Sequence, residues 1–597
     1  MPITSRVRLP PVAGRAIGRQ GAEPSIVYPV THARRGEASH DRVAAGRPMT
    51  GGTGNPAPAR LTVEDTGPIA AASGSCAQAG VRARARPDWL ALLPAAVTAM
   101  VLSIGIAAPS YWRDEAATVA AVHRPLGSML RMLGSVDAVH GLYYLIIWPI
   151  AQLCGTGEQT LRLPSLVAMA VAAGFVTATG RRLVSPAVGV TAGLIFAAAP
   201  TVTEYGQMAR SYAPVTMVAA IASYALVRAL ETDTSRVRWA WYAVSLVVLG
   251  ALNVFALLII PAHAITMDLS YRGQQAAGLR RAAFRRWFLA AATGIGVNGP
   301  LILLSAGQRT QIDWLPAPKV SDVGNIADLL GPPWMTAAIG AVLLTAGAMA
   351  VWRRRRALSQ DGRPGPGRPG GTGLEPPAAS ARCTVPVLCW PWLVVPPVLL
   401  LLESFLSPVY TQRYIIFCVP AAALIVAVAL AELARLPGRG RLGLASSVAA
   451  FLLIATLGIG TQIQYRQPWG HVDDIREADL IIAATARPGD GVLYALPSFL
   501  PISAAYPDGL GRLPNIQVGE AAIPSGTLAG TTVGPDVLRQ RISQLKRLWV
   551  IQVSGFTPDR RTLAGLHLRL AWTWQISDLW LQLYVRDLAP HTRRSGH

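Results

Sequence analysis

Lysine is almost absent from this 597-residue chain: Lys319 and Lys546 are the two copies, and arginine supplies the rest of the 54 basic side chains. Charge of either sign is scarce at 14%, against roughly 25% in ordinary soluble domains. Cysteine is also sparse. Cys76, Cys154, Cys383, Cys389 and Cys418 show no C-x-x-C spacing and no nearby histidine, which argues against a disulfide framework and a zinc site. No H-E-x-x-H, P-loop or G-x-G-x-x-G context occurs, so nucleotide binding by the apolar part has no support. An apolar run near Met1 is missing too, and a cleavable signal peptide is not expected.

What is present is apolar. Hydrophobic residues make up 52% of the chain and mean hydropathy is +0.37. Long apolar runs recur, many near the ~20 residues that cross ~30 Å of hydrocarbon. The chain therefore reads as a polytopic α-helical membrane protein. Its net charge of +22 would suggest nucleic acid in a soluble protein. Here the arginines cluster between apolar runs, where they orient the chain in the bilayer; no nucleic-acid partner is expected.

Residues 1–86 are rich in Arg, Gly, Ala and Pro and lack apolar periodicity. They read as a disordered, basic, cytoplasmic N-terminus, with Met49 an alternative start. Residues 87–462 form the membrane part, with a first span at about 88–108 following "RARARP". A long first extracytoplasmic loop, 109–162, comes next. Within it, "VHGLYYLIIWPIAQLC" is short and contains Pro149, and is expected as a juxtamembrane amphipathic helix. Placing it on the surface leaves Arg181 and Arg182 inside. Ten further spans are expected at about 163–180, 186–203, 212–230, 238–252, 255–270, 287–305, 332–352, 386–405, 413–433 and 443–462. That makes about eleven in all. The basic connectors, Arg228 to Arg238, Arg272 to Arg286, Arg353 to Arg368 and Arg435 to Arg441, then share the cytoplasmic side. Residues 357–382 form a Gly/Pro-rich cytoplasmic linker. Residues 463–597 mix polar and apolar residues. "ADLIIAATARPGDGVLYAL" reads as helix, turn and strand, and "RLWVIQV" as a buried strand. With an odd number of spans, this α/β domain lies outside. No short tandem repeat is visible.

Polar residues gather at the predicted outer face. The first loop supplies Asp114, Glu115, Asp137 and His140. The second supplies Glu204, Gln207, Arg210 and Tyr212, the third Gln308, Gln311, Asp313 and Lys319, and the last Tyr410, Gln412, Arg413 and Tyr414. Polar groups at a membrane boundary mark function or interfacial anchoring. In "YWRDEAAT", two acids sit side by side. Asp114 can cap the helix that follows or serve as a general base. Asp137 can cap the surface helix, and His140 can orient a carboxylate or meet a phosphate. Arg210 and Arg413 suit phosphate oxygens.

The stretches "YWRDEAAT", "VDAVHGLYYLIIW", "LRLPSLVAMAVA", "EYGQMARSYA" and "QRYIIFCVPAAAL", in this order over about 88–435, resemble the GT-C glycosyltransferases. The likeness is to family 39 protein mannosyltransferases and aminoarabinose transferases, and most of all to an actinobacterial mannosyltransferase-like subgroup. The resemblance implies transfer of a sugar, mannose foremost, from a polyprenyl-phosphate donor to a hydroxyl of a cell-envelope glycan, lipid or protein. Transfer would occur on the extracytoplasmic face, with inversion. It implies Asp114 as general base with Glu115 in support. It extends donor or acceptor binding to Asp137, His140, Tyr143, Glu204, Arg210, Tyr212 and Arg413. The chain departs from the pattern at His140-Gly141-Leu142-Tyr143, where the family often has His-Pro-Pro before Leu-Tyr, and at Met208, where it often has Glu. The second departure weakens any metal site, and a divalent cation stays an open cofactor without assigned ligands. Two rival classes are a transporter or flippase of lipid-linked sugars, for which Asn253, Asn298 and "WPWLVVPP" are the relevant features, and an inactive scaffold.

Overall fold

Hydropathy sets the helices. A computed structural model describes residues 88–586, apart from 232–234, 273–276, 313–316, 320–323, 325, 362–382, 436–439, 554–562 and 564. The expectations for 1–86, for most of the linker and for Asp313 lie outside the described residues. Each of the eleven predicted spans coincides with helix. α1 (Leu92–Ser103) is followed by three loop helices: α2 (Arg113–Val122), α3 (Leu126–Leu133) and α4 (Gly141–Cys154). Then come α5 (Glu158–Leu183), α6 (Pro186–Ala198), α7 (Pro200–Gly206), α8 (Tyr212–Leu230), α9 (Arg236–Leu252), α10 (Ile259–Tyr271) and α11 (Ala277–Gly307). The remaining membrane helices are α12 (Pro333–Asp361), α13 (Val385–Leu406), α14 (Val419–Ala434) and α15 (Gly440–Gln464).

Among the described residues, eight helices are long and apolar enough to cross a bilayer. A ninth is added if α6 and α7, bent by 63° at their junction, make one broken span. Pro200 opens α7; it lacks the N–H needed to continue the ladder of α6. α1 and α9, both predicted as spans, have only 12 and 17 residues. α13 carries "WPWLVVPP" without a break: it is a single helix from Val385 to Leu406 with Pro391, Pro396 and Pro397 inside it. Asn253 and Asn298 also serve local structure. Asn253 accepts from Phe255 N at 2.9 Å, and Asn298 Nδ2 donates to Val247 O and Gly294 O at 3.1 and 2.8 Å.

Close helix approach depends on missing side chains, as membrane packing favours. A Cβ on Gly189 of α6 would lie 2.4 Å from Thr177 O of α5.

Beyond α15 the chain forms α16 (Ile475–Thr485), β1 (Gly491–Tyr494), α17 (Ile502–Ala505), α18 (Pro535–Gln544), β2 (Arg547–Val553), β3 (Leu568–Ile576) and β4 (Leu579–Arg586). The sheet order is β1-β2-β4-β3, with β1 parallel to β2 and the other pairs antiparallel. α16, β1 and β2 fall where the sequence placed them. In β2, five successive buried residues, Leu548 to Gln552, occupy the interior of the sheet.

Candidate active site

α2 begins at Arg113 with Trp112 as its cap residue, and no side chain caps it. Asp114 and Glu115 occupy its first turn, where acids oppose the helix dipole. Neither is the cap that a local reading of Asp114 offered. Instead the two carboxylates point into different surroundings.

Glu115 is fully buried. Arg162, on α5, donates from Nε to Oε1 at 2.9 Å and from Nη2 to Oε2 at 2.7 Å. Ala209 N donates to Oε1 at 2.7 Å. The rest of the Arg162 fork is used on the carbonyls of Ile106, Pro109 and Ser110, at 2.8 to 3.1 Å. Burial acts to raise the Glu115 carboxyl, but the Arg162 guanidinium prevails and holds it at about 2. His471, from the segment after α15, brings Nδ1 to 3.5 Å from Glu115 Oε2, and burial keeps its ring below the usual imidazole range.

Asp114 keeps 28% of its side-chain surface exposed. Arg413 Nη1 donates to its Oδ2 at 2.7 Å, and Arg210 Nη1 donates to its backbone carbonyl at 3.1 Å. Arg413 also lies over the rings of Trp112 and Tyr414, at 5.9 and 5.8 Å.

Arg210 joins the rest. Its Nη2 donates to His140 Nε2 at 2.7 Å and its Nη1 to Tyr144 Oη at 3.3 Å. Burial, reinforced by Arg210 and Arg413, pushes the His140 pKa well down. The neutral ring thus accepts at Nε2, and Nδ1 faces Ser211 Oγ at 3.4 Å. Tyr144 Oη donates to Asp137 Oδ2 at 2.8 Å. Asp137 was expected as a cap. It stands before a short 3-10 turn in the left-handed region, φ 58°, and makes no capping bond. Gln311 and Gln308, at the far end of α11, accept from the N–H groups of Asp137 and Ala138 at 3.2 and 3.0 Å.

Asp114, Asp137, His140, Arg210 and Arg413 therefore form one connected cluster. Tyr143 is buried beside Tyr144, ring centres 6.2 Å apart, and Tyr212 meets Tyr205 edge-on at 5.3 Å. Glu204 takes another direction, its carboxyl bonded to the Tyr465 hydroxyl. Among the described residues, no group of three or more His, Cys, Asp and Glu is arranged to hold a metal ion.

Sequence reasoning did not single out Arg162, Tyr144, His471 or Asp473. Arg162 stands inside the quoted "LRLPSLVAMAVA" and had a signal to find: an arginine one turn into an apolar span needs a buried acid. His471 and Asp473 carry no local signal. They reach the site because the first residues after α15 fold back onto α2. Ser110 Oγ donates to Asp473 O at 2.5 Å, and Arg113 lies 3.5 Å from the Asp473 carboxylate.

Residues 139–267 match the family of Dolichyl-phosphate-mannose-protein mannosyltransferases. No curated protein matches the chain. Among solved structures, the chain is similar to ArnT from Cupriavidus metallidurans in the apo state, with TM-score 0.53 and 14% identity over 82% of this chain and 97% of that one. The same protein bound to undecaprenyl phosphate matches with TM-score 0.51 at 13% identity, with the same coverage of both chains. An oligosaccharyltransferase from Archaeoglobus fulgidus matches with TM-score 0.42 and 11% identity, over 77% of this chain and 67% of that one. The chain is thus a polytopic helical membrane protein with the fold of ArnT, and its residues 139–267 resemble the mannosyltransferase family.

Proposed function

We propose that the protein transfers a sugar, mannose foremost, from a polyprenyl-phosphate donor to an acceptor hydroxyl of the cell envelope, with inversion and with Asp114 as general base. The N-terminus lies in the cytoplasm. The site and the domain formed by 463–597 lie on the extracytoplasmic face. The observation that carries this reading is the division of labour in the acid pair. Glu115 is enclosed and fully engaged, whereas Asp114 is reachable and sits against two guanidiniums. The mannosyl donor in the matched family's name and the undecaprenyl phosphate held by ArnT support a lipid-phosphate donor.

The donor phosphate competes with Asp114 for Arg413, whose planar fork suits phosphate oxygens. Arg210, fixed by His140 and Tyr144, adds positive charge on the same side. Once Arg413 turns to the phosphate, Asp114 accepts the acceptor's hydroxyl proton. The hydroxyl oxygen bonds to the anomeric carbon, and the bond from that carbon to the phosphate oxygen breaks. The polyprenyl phosphate departs with the electron pair, stabilised by the two arginines. Glu115 positions α2 through Arg162 and takes no proton.

The test is sugar transfer in proteoliposomes from labelled polyprenyl-phosphate mannose to acceptors in a membrane extract. Wild type should transfer label, and Asp114→Asn should lose at least the ~10²-fold of a missing general base. Equal transfer by both would remove Asp114 from the chemistry. Transfer from polyprenyl-phosphate glucose, galactose or arabinose alone would replace mannose. Donor crossing the bilayer without transfer by any arm would favour a flippase.

A further inference from the structure

Two helices form a second site at the end of the bundle away from the acid pair. One stripe of α9 carries Arg236, Trp239, Ala240 and Ala243. It faces a stripe of α11 that includes Ala282, Arg285, Arg286 and Leu289, and between them lies a cavity of about 490 Å³. The spacings i, i+3, i+4, i+7 put each set on one helix face. The three arginines lie at one end, and small or apolar side chains line the rest. Leu289 is 54% exposed, so the groove opens sideways toward the surrounding lipid. From Arg286 to Gln308, which meets the Asp137 loop, α11 rises about 33 Å, close to the thickness of a bilayer core. The two sites thus belong to opposite membrane faces.

Five neighbouring arginines have acids. Arg182, Arg228 and Arg238 surround Glu231, and Arg272 and Arg280 hold Asp268. Among the described residues, Arg236, Arg285 and Arg286 make no ion pair. A second feature points the same way. Trp239 is buried in the cavity wall, and its Nε1 donor finds no acceptor among the described residues. Three unneutralised guanidiniums at one end of an apolar groove suit an anionic head group with acyl chains below, and the Trp239 indole forms part of the wall.

We propose that the α9–α11 groove binds one anionic phospholipid of the leaflet opposite the active site. The arginines hold its phosphodiester, and the groove holds an acyl chain.

The test uses the full chain, purified and delipidated in detergent, and native mass spectrometry with phosphatidylglycerol or phosphatidylcholine of equal chain length. One phosphatidylglycerol should bind at least ~10-fold more tightly. The triple variant Arg236→Gln, Arg285→Gln, Arg286→Gln should lose that preference. Trp239→Phe, which alters no charge and so no membrane orientation, should weaken it. Arg272→Gln with Arg280→Gln removes two charges that Asp268 already occupies and should leave it intact. Equal binding of the two lipids, or a preference that survives in the triple variant, overturns the proposal. If the triple variant does not fold, Arg285→Gln and Trp239→Phe singly decide the same question. Glycerophosphoglycerol without acyl chains should not compete. Competition as strong as by the lipid would make this a site for a soluble phosphate ester and overturn the lipid assignment.

Discussion

Arg162 grips both carboxylate oxygens of Glu115, at 2.9 and 2.7 Å, and neither side chain reaches solvent. Next to them in sequence, Asp114 stays open to solvent and to Arg413. One peptide bond separates an enclosed, fully paired acid from an accessible one, and that separation generates most of what can be tested.

Replacing Arg162 with Met should strand a buried carboxylate, at a cost of about 3–5 kcal/mol. Thermal unfolding in detergent should show a large fall in Tm. Asp114→Asn should leave Tm near wild type, because its own carboxylate stays partly exposed. Equal destabilisation by both changes would contradict the division of roles.

The pair also predicts acid sensitivity. Glu115 has a folded pKa depressed from 4.5 to about 2. Its contribution to stability is present above the unfolded value and is lost as pH falls from about 4.5 through 2. Unfolding followed from pH 6 down to pH 2 should steepen in that window. Glu115→Gln should start less stable and lack that part of the slope.

Asp473 should behave in the opposite sense. Burial raises its carboxyl to about 6, against the pull of Arg113, with Asp578 and Asp114 adding to the rise. A raised acid binds more protons folded than unfolded between about pH 4 and 6, so stability falls as pH rises through that range. Asp473→Asn should raise Tm at pH 7.5 and lose that advantage at pH 4, as long as the fold of the segment is kept. The carbonyl contact with Ser110 is unaffected by the change.

Arg413→Lys keeps a positive charge and loses the planar fork. In the transfer assay it should raise the donor KM by roughly tenfold, and Arg413→Ala should raise it further. An unchanged donor KM in both would place the phosphate elsewhere.

Arg124 ties α2 to the C-terminal domain. It donates to the carbonyls of Ala522, Thr527 and Leu528 at 2.6 to 3.2 Å. Arg124→Ala leaves these acceptors without a donor, at a cost of roughly 1–3 kcal/mol. Limited proteolysis should then cut 520–530 faster than in wild type.

By itself the sequence determined the membrane helices, the α16–β1 unit and β2, because apolar runs and their period are local properties of the chain. It also placed the acid pair just beyond the first apolar segment, and Arg210 and Arg413 at span ends. β3 was not legible, since most of "LRLAWTWQI" stays partly exposed and shows no clean alternation. α3 lacked a signal for a similar reason, being eight residues of the long first loop. Only the tertiary structure decided which acid of the pair is enclosed and which stays open to solvent. Glu115 is claimed by Arg162, 47 residues on, by the Ala209 N–H and by His471 from beyond the last membrane helix, and Asp114 by Arg413, 299 residues away. Partners so distant leave no period or spacing in the chain. They become neighbours only when helix packing and the returning segment after α15 enclose one carboxylate and leave the other at the surface.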